Sequence, residues 1–167
     1  CCGFPLQEDP GPGGVCGACA ARKPAYDTAR AALAYDDHAR RLVLDVKRGG
    51  RRDGLPVFAR WMAQAAGDAL AKADFLAPAP MHWTRLAARS FNQAAWLAQA
   101  LARASGKPWK PGALNRVKRR SSQAGLSASE RRRNVAGAIK ASARFDGKTI
   151  LVVDDVFTTG ATLEACA

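Results

Sequence analysis

The chain has 167 residues, 48% of them apolar, and a formal net charge of +12. That length suits one ordinary domain with a small appendage, and the apolar share is enough for a core. No apolar run approaches the roughly 18 residues that a membrane-spanning helix needs, so membrane insertion is not expected. No secretory signal opens the chain, and a cytoplasmic location is expected. The chain starts at Cys1 and stops at Ala167, barely one turn into its last helix. A parallel α/β sheet normally continues past that point, so the chain reads as lacking both ends of a longer protein.

In chain order, the first segment is marked by cysteine. Cys1, Cys2, Cys16 and Cys19 lie among Gly3, Pro5, Pro10, Gly11, Pro12, Gly13 and Gly14. Such a stretch builds no core without a staple. Cys16-Gly17-Ala18-Cys19 has the C-x-x-C spacing of a tetrahedral zinc knuckle. Adjacent Cys1 and Cys2 make a poor pair of ligands for one ion. Cys2-Gly3-Phe4-Pro5 reads instead as the second half of another C-x-x-C, whose first cysteine would precede residue 1. Cys2, Cys16 and Cys19 are therefore the expected ligands of a structural Zn²⁺, with the fourth ligand unidentified; a disulfide or unligated thiols are the alternatives. Residues 1–24 form this module, and 25–167 form the main domain.

Tyr26 to Ala34 reads as a strand or connector. Asp37 to Arg48 reads as a helix, with Leu42, Val43 and Val46 on one face and Gly49-Gly50 ending it. Leu55, Phe58, Met62, Ala65, Ala66 and Leu70 repeat at helical spacing, which predicts a second helix over about 54–72. Ala73 to Ala79 reads as a short strand. Phe91 to Ala104 is a third helix, stopped near Gly106, whose stripe of Ala94, Leu97, Ala98 and Leu101 belongs to a core. Ala113 to Val117 reads as a strand. Ser127 to Glu130 has capping-box spacing and would start a short basic helix. Asp146-Gly147-Lys148 is a turn. Alternating strands and helices indicate an α/β fold with a parallel sheet. Cys166 reads as a small apolar helix residue.

The charge is unevenly spread. Residues 75–129 contain no Asp or Glu but hold Arg85, Arg89, Arg103, Lys107, Lys110, Arg116, Lys118, Arg119 and Arg120; Arg131 to Arg133 follow. Such a field attracts diphosphate, nucleotides or nucleic acid. For any single one of these side chains a solvated surface role is the plainer reading.

The most informative stretch is Ile150-Leu151-Val152-Val153-Asp154-Asp155-Val156-Phe157-Thr158-Thr159-Gly160-Ala161-Thr162. Four apolar residues fit a strand buried on both faces. Two carboxylates stand at its C-terminal end, followed by a small-residue loop and a helix start. Backbone N–H groups, the helix dipole and the hydroxyls of Thr158, Thr159 and Thr162 would hold a phosphate, and the carboxylates would accept from vicinal ribose hydroxyls. There is no Walker A and no dinucleotide-binding glycine pattern.

This segment resembles the 5-phosphoribosyl-1-diphosphate (PRPP) signature of type I phosphoribosyltransferases. The resemblance implies PRPP with Mg²⁺ as ligand, Asp154 and Asp155 as the catalytic carboxylates, and Val156, Phe157, Thr158, Thr159, Gly160, Ala161 and Thr162 as the phosphate loop. Upstream lie His82, then Arg89-Ser90-Phe91-Asn92-Gln93, then Arg116, Arg119, Arg120, Gln123, Leu126, Arg131 and Asn134. With the cysteine segment, this order resembles the ComF family of phosphoribosyltransferase-like proteins, which carry an N-terminal double zinc ribbon. Ser90 stands where that family commonly has glycine. The resemblance implies a role in DNA uptake during natural transformation, beside a competence helicase. It also places His82, Arg89, Asn92, Gln93, Arg119 and Arg120 near the diphosphate or substrate.

Each of these has a plainer reading. His82 could cap a strand, Asn92 and Gln93 could satisfy a helix start, and the arginines could be solvated. The residues offer no clear general base. Two readings result: a PRPP-dependent transferase (a glycosyltransferase), or a non-catalytic competence factor that keeps the phosphate pocket and binds single-stranded DNA. For the second, Trp83, Phe91, Trp96 and Trp109 are candidate base-stacking aromatics, Trp96 being better suited to the core.

Overall fold

The computed structural model describes residues 2–3, 14–49, 52–81, 86–87, 91–117 and 137–167, with backbone alone for 46–49. In chain order the elements are α1 (Gly17–Ala21), α2 (Asp37–Gly49), α3 (Leu55–Ala66), α4 (Asp68–Lys72), β1 (Phe75–Pro78), α5 (Gln93–Ser105), β2 (Leu114–Arg116), β3 (Ile139–Ala141), β4 (Ile150–Val153) and α6 (Ala161–Cys166). The fold is mixed α/β around a small parallel sheet, as the alternation of patterns predicts.

β1 is the centre of that sheet and is buried at every position. It pairs in parallel with β4, Phe75 opposite Ile150 and Pro78 opposite Val153. On its other edge Leu76 N–H donates to Pro108 O (2.9 Å) and Lys110 N–H donates to Leu76 O (2.8 Å), a parallel bridge centred on Trp109. The period-2 alternation of a strand then sorts the apolar residues into two layers. Leu76, Leu151 and Val153 face α3, α4 and α5, where Leu55, Leu70, Leu97, Ala98 and Leu101 complete one core. Phe75, Ala77, Ile150 and Val152 face the antiparallel β2–β3 pair and α6, packing with Leu114, Ile139, Phe145 and Cys166.

α5 starts at Asn92, whose side chain accepts from the Ala94 N–H, and ends at Gly106 in the left-handed conformation. The helix expected over 54–72 is broken in two. Gly67 adopts φ 45° and ψ −121°, outside the helical region, and α3 ends there. This break turns α4 so that Leu70 still reaches the core. The strand at 150–153 was expected to be buried on both faces, yet only Val153 is fully buried. Among the described residues β4 has β1 alone as its sheet neighbour, which leaves its other side less covered. Residues 26–34 form a connector without regular structure. β3 and the short α1 were not expected; three residues and five residues are too short to leave a periodic signal. The basic helix expected from Ser127 lies outside the described residues.

The two parallel strands are also tied at their start. Asp74 N–H donates to Thr149 O (2.8 Å), and the Asp74 carboxylate accepts from Thr149 N–H (2.8 Å) and from Lys148 Nζ (3.0 Å). The bond from the Thr149 amide, then that from Lys148, holds the Asp74 carboxyl below its ordinary value. A depressed folded pKa stabilises above the unfolded value of about 3.9 and loses that effect as pH falls through the folded value. Asp74→Asn should therefore lower stability at neutral pH and flatten its decline below pH ~4, read by urea unfolding across pH. Leu76, with no solvent exposure, packs in the core beneath α3, α4 and α5; Leu76→Ala should cost about 3 kcal/mol in the same assay.

Candidate functional site

Parallel pairing places the C-terminal ends of β1 and β4 side by side, about 4.8 Å apart. Ala79 N–H extends the ladder by donating to Val153 O (2.8 Å). The chain leaving β1 (Pro80, Met81) and the acidic pair leaving β4 therefore emerge at one end of the sheet. Asp154 and Asp155 are both half-buried there, and Asp155 N–H donates to Asp154 Oδ1 (2.9 Å). The local bond turns the chain out of the strand immediately after Asp154.

The loop that follows is open at Phe157 and Thr158, half-buried at Thr159 and buried at Gly160 and Ala161; Thr162 is half-buried in the first turn of α6. Gly160 adopts φ 72°, and a Cβ there would lie 3.1 Å from the Phe157 ring and 3.2 Å from the Tyr26 hydroxyl. The conformation calls for glycine, and a side chain there would crowd the Phe157 ring and the Tyr26 hydroxyl. The loop thus folds back on its own aromatic residue, the Phe157 ring lying on the side of Gly160 where a Cβ would stand.

Asn92 sits at the same end of the sheet. Its Oδ1 accepts from Ala94 N–H (3.1 Å) and its Nδ2 donates to Ala79 O (3.1 Å). Both ends of the amide are engaged in locking the start of α5 onto the exit of β1, so the helix-start reading of Asn92 describes its contacts. Gln93 is 2% exposed, and its Nε2 has no hydrogen-bond partner among the described residues. A buried amide donor of that kind is costly and calls for an explanation. His82, Arg89, Arg119 and Arg120 lie outside the described residues.

Some of the basic stretch proves structural. Lys107 Nζ donates to Ala71 O (2.7 Å) and Ala73 O (2.8 Å), closing the end of α4. Lys110 Nζ stands 4.5 Å from the Phe75 ring centroid and 5.3 Å from that of Phe145. Of the candidate stacking aromatics, Trp83 lies outside the described residues, and the other three have partners within the protein. Phe91 stacks on Trp96 at 4.2 Å and 10°, and the Arg52 guanidinium lies 4.2 Å from the same ring centroid. Trp96 also packs against the first core, so much of its surface is already engaged within the protein. Trp109 packs against the first core.

The cysteine segment forms a second centre. Cys16 caps α1 and Cys19 follows three residues later, so the start of the helix brings both sulfurs to one side. Cys2 Sγ lies 3.4 Å from Cys16 Sγ, and the three sulfurs all lie within 4.8 Å of one another. None of the three is joined in a disulfide. Thiolates sharing a tetrahedral zinc ion stand about 3.8 Å apart, given Zn–S bonds near 2.3 Å. Cys2, Cys16 and Cys19 thus fit a soft divalent metal. A hydrogen bond from the Cys19 backbone, then those from the Cys2 and Cys19 side chains, hold the Cys16 thiol below its ordinary value.

The two centres meet. Besides the contact of Tyr26 with Gly160, Arg22 Nη2 donates to Glu164 Oε1 at 2.7 Å, across 142 positions of sequence. Burial first, then the charges of Cys2, Cys19, Glu164 and Cys16, raise the Tyr26 phenol above its ordinary value. Arg22 and Tyr26 were not expected from the sequence, where nothing local marks them; only the fold brings them to the loop. Cys166, on the far turn of α6, is pushed up to about 12, by burial first and then by the Asp154 charge. It is a packing thiol, as expected. After metal chelation, iodoacetamide at pH ~8 should label Cys16 early and leave Cys166 unlabelled, read by peptide mass spectrometry.

The chain is similar to the DNA utilization protein YhgH of Salmonella typhimurium, 29% identical over 99% of this chain and 74% of that protein. It is 28% identical to the YhgH protein of Escherichia coli K12 over the same shares. It is 37% identical to competence protein F of Haemophilus influenzae over 54% of this chain and 41% of that one. No family model and no solved structure matches the chain.

Proposed function

We propose that this chain, which belongs with the ComF family of its YhgH and competence protein F relatives, is a PRPP-binding, phosphoribosyltransferase-like protein that serves DNA uptake. The observation that carries the reading is the placement of Asp154, Asp155 and the Gly160 loop together at the C-terminal end of a parallel strand, where open α/β sheets take their ligands. The backbone of 158–162 and the three threonine hydroxyls would hold the 5-phosphate. Asp154 and Asp155 would accept from the ribose hydroxyls. Mg²⁺ would arrive with the diphosphate, held mainly by its oxygens.

In a transfer, the C1–O bond to diphosphate breaks as an acceptor nitrogen bonds to C1, and the departing charge needs cations. Arg89, Arg119 and Arg120 are the sequence's candidates for that task. The Gln93 amide, buried in the first turn of α5 with its Nε2 unpartnered among the described residues, is suited to a role at this same end of the sheet. The Cys2–Cys16–Cys19 centre would hold Zn²⁺ as a structural staple for a segment with no core of its own.

A second reading is single-stranded DNA binding in the company of a competence helicase; the relatives' names, DNA utilization and competence, support a link to DNA, and the acid-free basic stretch supports an anionic partner. Because Trp96 is already engaged by Phe91, Arg52 and the core, such binding would rest on phosphate contacts more than on base stacking at that residue. It then has a steep salt dependence, a log–log slope of about −0.7 per phosphate neutralised.

Calorimetric titration with PRPP and Mg²⁺ tests the first reading. Wild type should bind, and Asp154→Asn/Asp155→Asn should weaken binding at least about tenfold. No binding by the folded wild type sinks it. Fluorescence anisotropy with a labelled oligonucleotide across salt tests the second, and a flat response sinks that one.

A further inference from the structure

The contacts between the cysteine centre and the phosphate loop carry more than a staple would require. Cys16 and Cys19 are fixed on α1. Arg22, whose N–H donates to Ala18 O as α1 ends (3.1 Å), reaches Glu164 in the first turn of α6. Tyr26, four residues further on, places its hydroxyl against Gly160, on the side where a Cβ would stand. Beside Cys2, the Gly3 backbone lies against the Ala29 carbonyl, so the segment bearing Tyr26 is braced from the cysteine side as well. One short stretch, residues 16–29, therefore touches the loop at Gly160 and the helix after it at Glu164. Glu164 N–H donates to Gly160 O (2.8 Å), so the two contact points are themselves bonded.

We propose that Tyr26 and Arg22 are positioning residues for the phosphate loop, and that through them metal at Cys2, Cys16 and Cys19 sets how firmly the loop is held. The two contacts act cooperatively. An exposed ion pair such as Arg22–Glu164 orders little when its arms are free to move. It orders more when α1 is pinned, because the entropy of fixing Arg22 has already been lost. Metal pins α1 by joining Cys2 to Cys16 and Cys19 across thirteen intervening residues. Tyr26 adds a steric stop on the one residue of the loop that has no side chain. With the metal removed, α1 is only five residues long, too short to persist by itself, and both contacts loosen together.

This inference rests on 158–162 being the ligand loop only for its functional consequence; the coupling has its own readout. Hydrogen–deuterium exchange of the full chain, zinc-loaded and after chelation, reports on the peptide covering 157–164. In wild type, chelation should speed its exchange about tenfold while β1 remains protected. Tyr26→Phe and Arg22→Ala, each checked for undiminished zinc content, should show the faster exchange already when loaded. The charge swap Arg22→Glu with Glu164→Arg should restore protection that Arg22→Glu alone loses. A peptide unchanged by chelation, or loaded variants protected like wild type, would overturn the coupling. PRPP titration of the same samples is separate: wild type that binds no PRPP yet shows metal-dependent exchange refutes the ligand and upholds the coupling.

Discussion

The parallel pairing of β1 with β4 is the constraint on which the rest of the molecule depends. It joins residues 75 positions apart in sequence and sets a register in which Val153, the last residue of β4, lies opposite Pro78. The proposed ligand site follows from that alignment. Asp154 and Asp155 leave the sheet beside Ala79, and Asn92 binds the Ala79 carbonyl to carry α5 to the same end. A slip of one residue would exchange the two core layers, sending Leu76 away from Leu101 and Phe75 away from Phe145. The burial of Leu76 and Ala77, both without exposure, makes such a slip prohibitive.

Around this rigid end the functional groups are held by weaker devices. The loop at 157–160 leaves the strand through a local bond between Asp154 and the Asp155 amide, closes under the Phe157 ring, and is touched by Tyr26 from the cysteine segment. This division suits the proposed ligand site, with its carboxylates just past a fixed strand and its proposed phosphate donors on the loop that follows. The positive charge divides in a similar way. Lys107 and Lys110 look in the sequence like parts of one anion-attracting field. In the structure one closes α4 through two carbonyls and the other lies over two phenylalanine rings. Net charge speaks of the field as a whole, and contacts decide what each member does.

Much of this was legible in the sequence because it is local. The run from Ile150 to Thr162 announces strand, acidic pair and loop by residue type alone. The stripe of Ala94, Leu97, Ala98 and Leu101 announces a packed helix by its spacing. The C-x-x-C and the lone Cys2 announced a cluster whose sulfurs the fold does bring together. What escaped is what depends on distance. The stop at Gly67 needed a positive φ that helical periodicity over 54–72 does not reveal. The half-exposure of β4 depends on its neighbours and not on its own apolar residues. Arg22 and Tyr26 carry no motif, and their partners lie more than a hundred residues away.

The central claim is that residues 158–162, beside Asp154 and Asp155, form a phosphate-ester site. Backbone-amide NMR of the zinc-loaded chain, titrated with PRPP and Mg²⁺, addresses that claim residue by residue. The account predicts saturable shifts that are largest at Thr159, Gly160, Ala161 and Thr162, with smaller ones at Asp154 and Asp155. Amides at those positions that stay unmoved under millimolar ligand, or shifts confined to other elements, would contradict it.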